Sequence, residues 1–93
     1  MNTSRREDME RILNAESERW SSMSSEQLIA ELRELQAYQV EDGNQKYQIE
    51  VELLENTDAY VHVMVAADDG RLPFSISPLT QTFIRQKTVA NNR

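Results

Sequence analysis

The segment Tyr47-Gln48-Ile49-Glu50-Val51-Glu52-Leu53 alternates apolar and polar residues without a break. Strand side chains point to opposite faces in turn, so this run specifies a strand with one buried face and one wetted face. A lone strand has nothing to bury against, and the run therefore also demands a sheet. Upstream the apolar spacing is three and four residues, the helical period. The chain switches from helix to sheet, the order of an α+β domain. Ninety-three residues supply one core, so residues 1–93 read as a single domain, with 88–93 a patternless tail expected to fray.

Two helices are expected ahead of the sheet. Ser4-Arg5-Arg6-Glu7 and Ser24-Ser25-Glu26-Gln27 are both capping boxes, in which hydroxyl and N3 side chain satisfy each other's free backbone N–H groups. The first predicts a helix from Ser4 to about Trp20 with Met9, Ile12, Leu13 and Trp20 on its stripe and Glu16 interrupting it. The second predicts a helix from Ser25 to about Gln39 with Leu28, Ile29, Leu32 and Leu35 inward, stopped by Asp42-Gly43-Asn44.

Two more runs complete the expected sheet. Ala59–Ala67 places Val61, Val63 and Val65 on one face and Tyr60, Met64 and Ala66 on the other. Leu72–Ser77 alternates again, with Pro73 tolerable only at an edge or a bulge. Opposed residues share a face, so parity pairs Val65 with Phe74, Val63 with Ile76, and Val51 with Val63 or Val61. Either choice for Val51 sets His62 against Glu52 or Glu50. Ser77-Pro78 then reads as the start of a short helix to about Lys87 with Leu79, Phe83 and Ile84 on one side. The expected fold is two N-terminal helices, a three-stranded antiparallel β-meander and a short C-terminal helix. The Leu28/Leu32/Leu35 helix covers the Ile49/Val51/Val63/Val65/Phe74 face.

Composition removes several function classes. Sixteen acids against ten Lys and Arg give a charge of -6, which repels phosphate backbones and anionic lipid, so neither nucleic acid nor membrane is an expected partner. The second helix, with Glu26, Glu31 and Glu34 against Arg33, is equally unsuited to a DNA groove. Zero Cys and one His leave no thiolate nucleophile and no transition-metal ligand set, and two Gly cannot build a phosphate-cradling loop, so no cofactor is expected. The N-terminus lacks a signal-type apolar stretch, and the Ala59–Ala67 run is far shorter than the roughly 20 residues of a membrane span; the expected location is cytoplasmic.

One constellation remains. His62, beside Tyr60 and Met64 and across from Glu50 and Glu52, sits on the second face of the expected sheet. A carboxylate facing an imidazole is common sheet decoration, and it is also what a binding face or an acid–base pair needs. Charge is segregated as well: Glu50, Glu52, Glu55, Asp58, Asp68 and Asp69 crowd the middle of the chain, whereas Arg71, Arg85, Lys87 and Arg93 follow with no acid among them. The expectation is a small acidic protein-interaction module without catalysis, inhibitor- or immunity-like. It would contact a basic protein partner through Glu50, Glu52, Tyr60, His62 and Met64. The alternative is a small-molecule or catalytic site using His62 with Glu50 or Glu52 beneath the last helix. A homodimer through Met9, Ile12, Leu13 and Trp20 is the further expectation for the first helix.

Overall fold

A computed structural model describes residues 4–87; the tail expected at 88–93 lies outside the described residues. Helices α1 (Arg5–Ser21) and α2 (Ser25–Glu31) precede strands β1 (Gln36–Asp42), β2 (Gln45–Asn56), β3 (Tyr60–Asp68) and β4 (Leu79–Gln86). The strands form one antiparallel sheet in the order β1-β2-β3-β4. An α+β fold with an antiparallel meander is as expected. The sheet has four strands, however, and among the described residues no helix follows it.

Both capping boxes form. The Ser4 and Ser24 hydroxyls accept from the Glu7 and Gln27 amides at 3.0 and 3.1 Å, and each N3 side chain accepts from the cap amide in return. Met9, Ile12, Leu13 and Trp20 are 0–6% exposed, packed with Ile49, Val51, Val63 and Val65 in the core. Their apolar area therefore fastens α1 to its own sheet, and the expected dimer surface is consumed within one chain. Glu16, which interrupts the stripe, accepts a 2.6 Å hydrogen bond from the Tyr38 hydroxyl. That hydroxyl in turn accepts from Trp20 Nε1 at 2.7 Å and from Arg19 at 2.8 Å. Burial, followed by the bond to Glu16, pushes the Tyr38 hydroxyl above its usual range.

Several sequence expectations are corrected. The second helix stops at Glu31, and Gln36–Asp42, read as its end, is a strand with alternating burial. Leu28 and Leu32 are buried as expected, but Leu35 is 49% exposed. Tyr38 and Val40 prefer a pleated surface, and sheet pairing of Gln36–Asp42 with Gln45–Val51 outweighs two further helical turns. Asp42-Gly43-Asn44 marks the tight β1–β2 turn instead of a helix end, with Gly43 at φ 62.

Leu72–Ser77 is a turn, not a strand: Pro73 offers no N–H, and its carbonyl accepts from the Ile76 and Ser77 amides at 3.1 and 2.9 Å. Ile76, expected inside, is 78% exposed. Its place opposite Val63 is taken by Phe83, and Gln81 replaces Phe74 opposite Val65. Leu79 and Phe83, four residues apart, fit a helix and a strand equally. The β-branched Thr80, Thr82 and Ile84 between and beside them favour the strand.

The turn segment is tied down at its base. Arg5 grips Asp69 through two guanidinium nitrogens, at 2.5 and 2.9 Å, and donates to the Arg71 carbonyl at 2.8 Å. The Asp69 side chain is 1% exposed, and the Arg5 bond, joined by the Arg71 amide, holds its carboxyl at about 2. Arg5 also lies 5.0 Å above the Phe74 ring, so one residue of α1 holds both the start and the middle of the β3–β4 excursion.

Candidate functional site

α1 and α2 pack on the face of the sheet that carries Ile49, Val51, Val63 and Val65. The other face holds the even-numbered residues of β3 and β4 and, in β2, Gln48, Glu50 and Glu52. Among the described residues no helix lies over it, so the segment expected to cover Tyr60 and Met64 is instead the strand beside them. Tyr60, His62 and Met64 are half-buried by their neighbours, Glu50 and Glu52 are exposed, and Ile84 is 56% exposed.

The five expected site residues do share this outer face, but in a different register. Val51 pairs with Val65, which sets Glu50 opposite Ala66 and Glu52 opposite Met64. His62 faces Glu55. The register slips by one between Leu53 and Glu55, a β-bulge in which Leu54 is the additional residue. Without the slip, Glu55 has the parity of the core-facing Val51 and Leu53. With it, Glu55 swings outward and places Oε1 3.5 Å from His62 Nδ1. The same oxygen accepts from the Tyr60 hydroxyl at 3.2 Å, which holds that hydroxyl above its usual range. Tyr60, His62 and Glu55 form one cluster; Glu50 and Glu52 stand further along β2, outside it.

Sequence reasoning missed Glu55 and Ile84. The trace of the first was the Leu53-Leu54 doublet, two apolar residues in succession at the end of a strict alternation. The trace of the second was the β-branched content of Thr80-Gln81-Thr82-Phe83-Ile84.

The surface recesses lie elsewhere. A cleft of about 390 Å³ between α1 and β4 is lined by Asn14, Ser17, Glu18, Gln81, Thr82 and Phe83, with Ser21 at its end. A second, of about 280 Å³, continues along the same two elements past Leu13, Asn14, Leu79 and Thr80. His62 lines neither. Among the described residues no group of three His, Cys, Asp or Glu side chains is placed to hold a metal ion, and no helix is long and apolar enough to cross a membrane. No family model, curated protein or solved structure matches the chain.

Proposed function

We propose that the chain is a small, non-catalytic binding module that docks a basic protein on its outer sheet face, in the manner of an inhibitor or immunity protein. One observation carries this reading: that face is bare of helix among the described residues, and it sets Glu50, Glu52 and Glu55 in a row on β2 along one flank of the apolar surface of Tyr60, Met64 and Ile84. Acidic groups beside an aromatic and aliphatic patch suit a basic partner, because charge steers the encounter and the desolvated patch supplies most of the affinity. The competing reading, a small-molecule or catalytic centre using His62 with Glu50 or Glu52, has less support. His62 is partnered by Glu55 instead and stands outside both α1–β4 clefts.

The test is capture from the native lysate at low and high salt, with wild type beside a folded Glu50→Lys/Glu52→Lys variant. A basic protein held by the wild type, weakened by salt and lost with the variant is the expected result. Equal retention by the variant contradicts the acidic face as the docking surface.

A further inference from the structure

β4 is the last strand of the sheet, and among the described residues half of its backbone groups have no strand beside them. The Lys87 amide donates to the Ala59 carbonyl at 2.9 Å, which makes Ala59 and Lys87 a bonded pair. Bonded pairs recur at every second residue of an antiparallel ladder. Leu79, Gln81, Phe83 and Arg85 therefore bond to β3, while Thr80, Thr82, Ile84 and Gln86 turn their N–H and C=O groups away from it. From Leu79 through Ile84 the strand has no charge, glycine or proline. Monomeric proteins usually blunt such an edge with charges, prolines or a covering element. The opposite edge, β1, is likewise uncharged over residues 36–40 and ends in Glu41 and Asp42, as β4 runs into Arg85 and Lys87. Beside β4, α1 leaves two clefts that both reach Asn14 and Gln81, whose side chains are joined by a Gln81 Nε2 to Asn14 Oδ1 hydrogen bond.

We propose that the occupant of this edge is a second copy of the chain, with two β4 strands paired antiparallel about a two-fold axis through Thr82. In that register Thr82 faces Thr82 of the second copy and Thr80 faces its Ile84, so the outward N–H and C=O groups of all three residues find partners. Charge also fits. Arg85, the one charged residue of β4, already donates to the Met23 carbonyl of its own chain at 2.9 Å and falls opposite the uncharged Leu79 of the second copy, where Arg6 and Glu10 line the adjoining cleft as an ion pair, so no like charges meet at the axis. The exposed Ile84, with His62 on one side, gains Thr80 of the second copy on the other. The proposal is independent of the partner reading, because it uses the strand edge and leaves the outer face bare.

Thr82 is exposed and points to the outer face, so its replacement does not touch the core. Thr82→Lys and Thr82→Glu each set like charges opposite one another at the axis, whereas an equimolar mixture of the two sets opposite charges there. Sedimentation equilibrium of the full chain from about 1 μM to about 1 mM is expected to show wild type doubling in mass. Each variant alone should associate about tenfold more weakly or worse, and the mixture should recover. Amide exchange gives a second readout in wild type: Thr80, Thr82 and Ile84 become protected as concentration rises. A wild type of single-chain mass throughout, or variants that dimerise as tightly alone as wild type does, overturns the proposal.

Discussion

Glu55 stands opposite His62 because β2 spends one residue more than β3 over the same length, and that residue is Leu54. The pairs on either side, Leu53 with Val63 and Glu55 with His62, differ in register by that single position. Deleting Leu54 is therefore expected to join the two registers without re-pairing any residue. Cross-strand nuclear Overhauser contacts should still connect residue 55 to His62, and stability should change by about 1 kcal/mol or less, since Leu54 is exposed and outside the core. Contacts from His62 to Glu52 or Glu50 would show that the bulge does not set the register.

Asp69 supplies a pH dependence with a definite sign. Its folded carboxyl titrates at about 2, against 3.8 for the free side chain, because Arg5 and the Arg71 amide stabilise the charged form. The unfolded chain thus holds more protons than the folded one between those values, and stability rises with pH there. The contribution, about 2 kcal/mol, is complete above about pH 4 and is lost as pH falls toward about 2. Urea midpoints measured across that range should fall more steeply for wild type than for Asp69→Asn. Parallel curves would mean that the Arg5–Asp69 grip contributes no linkage.

Trp20 is 4% exposed and hydrogen-bonded to Tyr38, so it belongs to the core of a single chain. Trp20→Ala is expected to cost about 3–5 kcal/mol in chemical denaturation. A loss below about 1 kcal/mol would place the indole at the surface, where exposed substitutions fall.

The strand identity of Leu79–Gln86 has its own signature. In the single chain at low concentration, the amides of Gln81, Phe83 and Arg85 should exchange slowly, and those of Thr80, Thr82 and Ile84 quickly. A helix over the same residues would protect them without alternation.

These elements also mark how far local pattern reaches. The capping boxes at Ser4 and Ser24 and the Tyr47–Leu53 alternation involve residues within a few positions of one another, and all were legible. Residues 36–42 and 79–86 were not, because each pairs with a strand whose position depends on the whole sheet, while Leu35 and the Leu79/Phe83 pair satisfy the helical period locally. Tertiary pairing outweighs such local preference. The outer-face membership of Tyr60, His62, Met64, Glu50 and Glu52 followed from parity. The partner of His62 did not, because one inserted residue changes every parity beyond it.

Among the described residues the outer face of the sheet is bare of helix, with Met64 partly and Ile84 largely in contact with solvent. A soluble paramagnetic probe tests it residue by residue, through the broadening of methyl resonances. The Met64 and Ile84 methyls are expected to broaden strongly while those of Ile49, Val51 and Val63, each 0% exposed, stay sharp. Met64 and Ile84 signals as sharp as those core methyls would mean that another part of the chain covers the face, and the proposed docking surface would not exist.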